Sequence, residues 1–284
     1  MRTDESAGSV RQPVTGRRLV HDLARLGVQR DQTLLVHASV RSIGLLENRA
    51  TILVSALRKA VAPVGNVVAL TATEENSLTS RAHQARTATM TADEIEALRQ
   101  GMPAFDRRRT PSTTGALSEA LRTSAGAVRS DHPQSSFAAI GPRAGYLMAG
   151  HRLNCHLGED SPLAKLYQMG AQVLLLGVGY DRCTAFHLAE YRYTPHPPRR
   201  MYSCAVKQGG RREWREYEDV VLDDKDFEEI GKELNDEPYV KEGYVGNAMS
   251  HLMPLVQSVD HAVNWMATHR ALPRTITGYG PSKG

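Results

Sequence analysis

One stretch constrains the chain more than any other: Val173-Leu-Leu-Leu-Gly-Val-Gly-Tyr-Asp-Arg-Cys-Thr-Ala-Phe-His-Leu-Ala-Glu190. It opens as a short apolar run, breaks at Gly177 and Gly179, and resumes with apolar residues three and four apart. That pattern predicts a strand, a tight loop and a helix beginning near Asp181. Thr184, His187 and Glu190 follow one another at intervals of three, so on a helix a hydroxyl, an imidazole and a carboxylate lie within a turn or two of each other. Such a set suits acid and base chemistry. The same spacing equally suits a helix cap, an enclosed histidine and a solvated acid, and spacing alone does not separate the two.

Composition narrows the classes. Hydrophobic residues at 41% and charged residues at 23% of 284 positions are ordinary for a globular chain that buries a substantial core. The longest apolar runs, such as Val173 to Leu176, fall far short of the roughly 20 residues a spanning helix needs, so no membrane partner is expected. The polar start of the chain, with Arg2, Asp4, Glu5 and Arg11, lacks the apolar core of a secretory signal. We read residues 1–14 as a flexible leader, 15–270 as a single domain and 271–284 as a tail, on a cytoplasmic protein. Cys155, Cys183 and Cys204 show no C-x-x-C spacing, and His151, Cys155 and His156 match no strong zinc pattern, so no metal is expected. The net charge of +4 is mild, and the clusters Arg107 to Arg109, Arg199-Arg200 and Arg211-Arg212 lack interleaved aromatics, which argues against nucleic acid.

In chain order, Leu19, Leu23 and Leu26 predict a helix closed by Gly27, and Thr33 to Val36 a buried strand. The polar loop His37 to Gly44 follows, and then a helix through Ile52, Leu53, Leu57 and Val61. Val67 to Thr71 reads as the next strand, with Glu74 and Glu75 beyond its C-terminal end, where α/β sheets collect ligands. Thr79 to Thr91 reads as irregular and Ala92 to Gln100 as helix. Thr110-Pro111 opens a helix ending near Gly126, Phe137 to Ile140 is a strand, and Arg143 to Ala149 and Pro162 to Met169 are helices. Met201 to Lys207 and Trp214 to Val221 form a hairpin around Gln208-Gly-Gly210. Asp223, Asp224 and Asp226 begin an acid-rich helix, and a last helix is expected from Asn247 to Met266.

Four ordered motifs resemble the aminoglycoside 3-N-acetyltransferase family over roughly residues 15 to 265. They are Val36-His-Ala-Ser-Val-Arg-Ser-Ile-Gly44, Arg129-Ser-Asp-His-Pro-Gln-Ser-Ser-Phe-Ala-Ala-Ile-Gly141, Ser161-Pro-Leu-Ala-Lys-Leu and the segment Leu175 to Glu190. The resemblance implies an antibiotic N-acetyltransferase-like α/β fold, a central mixed sheet flanked by helices, distinct from the common small acetyltransferase fold. It also implies an acyltransferase moving an acetyl group from acetyl-coenzyme A to the 3-amino group of an aminoglycoside, an antibiotic-resistance activity.

On that basis His187 is the expected general base, because an unperturbed imidazole titrates near neutral pH. Thr184 would donate its hydroxyl to the developing oxyanion or the leaving thiolate. Glu190, or a rival acid between Asp219 and Asp226, would orient the ring. Cys183 is the alternative, as a covalent nucleophile; direct attack by the amine is simpler. Acetyl-coenzyme A is expected against His37, Ser39, Val40, Arg41, Ser42 and Gly44, with Thr110, Ser136 and Phe137 as further contacts. A polycationic acceptor is expected among Glu74, Glu75, Glu159, Asp160, Glu190 and Asp219. One departure stands out: members of the family often carry an aromatic, acidic stretch after the second strand, whereas Thr71 to Met90 has no aromatic and only Glu74 and Glu75 as acids. An acyltransferase acting on another amine in natural-product biosynthesis therefore stays open, as does a non-catalytic protein binding coenzyme A or a sugar, and so does a homodimer.

Overall fold

Leu19, Leu23 and Leu26 are all buried along one side of α1 (Gly16–Leu26), whose start is capped by the Thr15 hydroxyl accepting from the Arg18 N–H. The computed structural model describes residues 13–46 and 49–270; the expected tail and residues 1–12 of the expected leader lie outside them. Val14, assigned to that leader, belongs to the body instead: it is fully buried and its N–H donates to the Leu45 carbonyl at 2.7 Å. Then come β1 (Thr33–Ala38), the single turn α2 (Val40–Ile43), α3 (Arg49–Ala60) and β2 (Asn66–Leu70).

Residues 71–115 make an excursion carrying α4 (Arg81–Thr87) and α5 (Ala92–Gly101). The first corrects the expectation of an irregular stretch: Ser80 caps it by accepting from the His83 N–H, although neither helix contributes a buried side chain. α6 (Ala116–Arg122), β3 (Val128–Arg129), β4 (Phe137–Ile140), α7 (Ala144–Met148), α8 (Pro162–Gln168) and β5 (Gln172–Leu176) follow. After β5 the chain makes a 3-10 turn, Tyr180–Arg182, and enters α9 (Phe186–Glu190), so the helix starts at Phe186 rather than near Asp181. The hairpin β6 (Arg199–Gln208) and β7 (Arg211–Val220) leads to α10 (Phe227–Asn235), β8 (Lys241–Val245), β9 (Ala248–Pro254) and α11 (Leu255–His269). The helix expected from Asn247 is thus overturned over its first part. Gly246 turns the chain at a φ of +62°, and β9 zips antiparallel onto β5 with Leu252 opposite Leu174.

Seven strands form one mixed sheet in the order β3-β4-β2-β1-β5-β9-β8, with β1 parallel to both β2 and β5 and the other pairings antiparallel. Both faces are buried. On β5, Val173 and Leu175 join a core built with α7 to α11, while Leu174 and Leu176 join the core under α1, α3 and α6. Near-continuous apolar runs are what strands covered on both faces require. Because β1, β2 and β5 are parallel, their C-terminal ends share one edge, and the loops after all three converge there. Among the described residues no helix is long and apolar enough to cross a membrane.

Candidate active site

The loops after β1 and β5 meet at van der Waals contact, and this closeness explains the glycine break. Gly177 has a φ of +63°, and a Cβ there would stand 2.6 Å from the Ser42 Cβ and 2.9 Å from that of Ala248. Only glycine combines that backbone with that approach. Beyond it the 3-10 turn delivers Thr184 and then α9, which aims His187 back at the strand ends.

His187 Nδ1 lies 2.7 Å from Glu190 Oε2, as the three-residue spacing on a helix allows. Glu190 is fully buried and its other oxygen is also satisfied, accepting from the Asp223 N–H at 2.8 Å and from Arg270 Nη1 at 2.9 Å. Arg270 in turn donates to both Asp226 carboxylate oxygens, at 2.7 and 2.6 Å, and to the Asp223 carbonyl at 2.7 Å. Burial opposes the charge of Arg270, but the Asp226 and Glu190 carboxylates outweigh it and push the guanidinium higher than usual. The result is a line of charge, Arg270 to Glu190 to His187, in which Glu190 rather than an acid between Asp219 and Asp226 holds the imidazole. The ring of Phe227 packs 4.7 Å from that of His187, centroid to centroid. With Nδ1 occupied, Nε2 is the nitrogen available to a ligand.

His187 forms part of the wall of a cleft of about 480 Å³, together with His37 and Ser39 from the end of β1, Glu74 beyond β2, Thr113 and Thr114, and Asp181, Cys183, Thr184 and Asp224. Thr114 Oγ donates to the Leu70 carbonyl at 2.6 Å and the Thr113 N–H to that of Ala72 at 2.9 Å, fixing this wall to the end of β2. A second chamber of about 620 Å³ between α4 and α5 shares Glu74 and Thr113 with the first and adds Glu75. Burial, then the nearby His187, lowers His37 to about 4, so it is neutral at ordinary pH. Burial raises the Cys183 thiol to about 12.

The structure therefore brings together His187, Thr184, His37, Ser39 and Glu74, with Glu190 directly behind His187. Val40, Arg41 and Ser42 form α2 beside Ser39, whose hydroxyl is 2.7 Å from that of Ser42, and Gly44 closes that turn. Thr110 stands back from the cleft wall, its hydroxyl accepting from the Asp106 N–H. Five assignments need correction. Ser136 and Phe137 are wholly buried, the former bonded to Thr71 and Arg129 and the latter in the core, so neither offers surface to a cofactor. Glu159 and Asp160 lie outside the cleft wall in exposed ion pairs with Arg192 and Arg152. Asp219 is buried, and its Oδ2 accepts from the His156 N–H, from His156 Nδ1 and from the Tyr191 hydroxyl, which leaves it nothing for a substrate. Sequence reasoning missed Asp181, Asp224 and Arg270. The run of aspartates before α10 was a signal for Asp224, but it was absorbed into a helix start; Arg270 left no local signal.

Residues 35–267 match the family model described as aminoglycoside 3-N-acetyltransferase. The SPbeta prophage-derived aminoglycoside N(3')-acetyltransferase-like protein YokD of Bacillus subtilis is 34% identical over 89% of this chain and 92% of its own length. Aminoglycoside N(3)-acetyltransferase VII of Streptomyces paromomycinus is 32% identical over 89% of this chain and 92% of its own. Among solved structures, YokD superposes with a TM-score of 0.85, covering 91% of this chain and 95% of that one at 33% identity. AAC-IIIb as a binary complex with CoASH gives 0.78 at 29% identity, covering 90% and 97%. Sisomicin-bound AAC-VIa gives 0.78 at 29% identity, covering 92% and 100%.

Proposed function

The chain belongs to the aminoglycoside 3-N-acetyltransferase family, a family of acyltransferases, and on that premise we propose that residues 14–270 form one acetyltransferase domain moving an acetyl group directly from acetyl-coenzyme A to the 3-amino group of an aminoglycoside antibiotic. The observation that carries the mechanism is the 2.7 Å contact between His187 Nδ1 and the buried Glu190 carboxylate on the wall of the cleft. Glu190 fixes the tautomer in which Nε2 carries the lone pair and stabilises the imidazolium once a proton arrives. Nε2 takes the proton from the acceptor nitrogen as that nitrogen bonds to the thioester carbon; the carbon–sulfur bond breaks, and the proton returns to the departing thiolate. Thr184, 5% exposed and on the cleft wall, is placed to donate to the carbonyl oxygen or the sulfur as negative charge develops. A thiol raised to about 12 holds almost no thiolate at neutral pH, which argues against Cys183 as a covalent nucleophile.

The hydroxyls of Ser39 and Ser42, with the exposed Arg41, are the donor set that suits the phosphates of coenzyme A, and the CoASH complex of AAC-IIIb supports that reading. Glu74, Asp181 and Asp224 place three carboxylates on the cleft wall, the last two paired with Arg182 and Arg81, as the groups that would receive a cationic acceptor, in keeping with the sisomicin complex of AAC-VIa. A second reading, another amine as acceptor, is favoured by one feature: the chamber that adjoins the cleft is walled in large part by Ala82, Ala97, Leu98, Met102 and Pro103, with Arg86 beside Glu74 and Glu75.

Thiol release from acetyl-coenzyme A in the presence of an aminoglycoside panel tests both readings. We expect turnover that falls about 10²- to 10⁴-fold in His187→Ala. Release with a different amine alone would replace the acceptor, and near wild-type turnover in His187→Ala would overturn the base.

A further inference from the structure

Asp224 is the cleft carboxylate whose position relative to His187 is fixed most tightly, because both flanking segments are tied to the catalytic array. The N–H of Asp223 donates to Glu190 at 2.8 Å, the carbonyl of Asp223 accepts from Arg270 at 2.7 Å, and Asp226 pairs with the same guanidinium. Asp224 itself stands on the cleft wall. There it is clasped by Arg81 of α4, Nη1 to Oδ2 at 3.0 Å and Nη2 to Oδ1 at 2.5 Å. Burial raises the Asp224 carboxyl, but the bond to Arg81 and the charges of Arg81 and His187 outweigh it and hold it below the usual range. The guanidinium thus rests in the combined field of Asp224, Asp223 and Glu190.

Resting on the reading of the cleft as an acceptor site, we propose that Arg81 is a specificity-determining residue: it occupies, at Asp224, the place of an acceptor ammonium, and a cationic acceptor must displace it to bind beside His187. Three features make the exchange cheap. The Arg81 side chain is 70% exposed, so it regains water when released. α4 has no fully buried residue, so little packing is lost if it moves. The pair is open to water, which screens it, so an acceptor offering several ammonium groups to Glu74 and Asp224 outcompetes one guanidinium, while a singly charged amine gains less over the resident cation.

The test is binding and turnover of sisomicin and of a small monoamine by wild type, Arg81→Gln, Asp224→Asn and the double variant. Arg81→Gln should tighten sisomicin binding about fivefold, measured calorimetrically without acetyl-coenzyme A, and lower its KM by the same factor while the KM for acetyl-coenzyme A stays put. Asp224→Asn should weaken sisomicin, and Arg81→Gln should bring no gain in that background. Calorimetry separates the two ideas: sisomicin that binds but is never acetylated removes the proposed reaction while the Kd series still tests Arg81. An Arg81→Gln Kd equal to or weaker than wild type, or no detectable binding by either protein, overturns the inference.

Discussion

Glu190 has no exposed surface, and both of its oxygens are partnered: Oε2 by His187, and Oε1 by the Asp223 N–H and Arg270. A buried carboxylate held this way is costly to leave half-partnered, since removing one member of a buried pair typically destabilises by about 3–5 kcal/mol. Arg270→Met should therefore lower the melting temperature. Because Arg270 holds the acid that holds the proposed base, Arg270→Met should also lower kcat about 10- to 100-fold with little change in either KM, and Arg270→Lys should restore part of the loss. A kcat within twofold of wild type alongside a fallen melting temperature would leave Arg270 a structural residue only. Half of this array was visible in the sequence. His187 and Glu190 are three apart, and any helix brings such a pair together; Arg270 is 80 residues further on and reaches Glu190 only because α11 packs against α9. Asp219 shows the converse. Its charge made it look like a substrate ligand, and only the fold shows that His156 and Tyr191 have already taken it.

At the level of elements, the meeting of α2 with the turn after β5 sets the proposed cofactor loop against the turn that leads to Thr184 and His187. Gly177→Ala puts a methyl group into 2.6 Å contact with Ser42 at a φ of +63°. Strain and displacement together should cost about 2–3 kcal/mol in chemical denaturation and raise the KM for acetyl-coenzyme A, since Ser42 must shift. Unchanged stability would mean that the two loops are free to part. The elements legible in advance are those with a buried apolar face: β1, β4, β5, α1, α3 and α8 all bury the leucines, valines or phenylalanine that announced them. Where burial does not set the pattern, reading failed. α4 buries nothing and begins from a single Ser80 cap, while Ala248 to Pro254 has a broken alternation that only pairing with β5 and β8 resolves as a strand. The glycine-led turn at Gly246 was the available clue to that hairpin.

Across the whole molecule, an enclosed polar knot joins parts of the chain that the sheet does not. His132 lies 4.7 Å from His151 and 4.6 Å from His156, ring to ring, uniting the β3–β4 connection with the loop before α8, and His156 pairs with Asp219 of β7 at 2.7 Å. The ring nitrogens of His132 and His151 are engaged by backbone groups. His132 Nδ1 accepts from the N–H groups of Gln134 and Ser135 while Nε2 donates to the Leu153 carbonyl, and His151 Nε2 donates to the carbonyls of Cys155 and His156. Burial is the largest cause in each case, lowering His151 to about 4, His132 well below its ordinary value and His156 as well, despite the opposing pull of Asp219. In the unfolded chain each histidine takes its proton near pH 6.5, whereas in the folded chain His151 waits until about 4, so between those values the unfolded state holds more protons. The stability these groups provide is fully present above pH 6.5 and is lost as pH falls towards 4. At pH 5.5 His151 should have cost about 1 kcal/mol relative to pH 7.5. Asp219, held below the usual carboxylate range by His156 and Tyr191 against its own burial, adds a further loss only at lower pH. Urea unfolding at pH 7.5, 6.5 and 5.5 should show the midpoint falling with most of the change below pH 6.5, and a midpoint constant from 7.5 to 5.5 would show that these rings are protonated or solvated in the native protein.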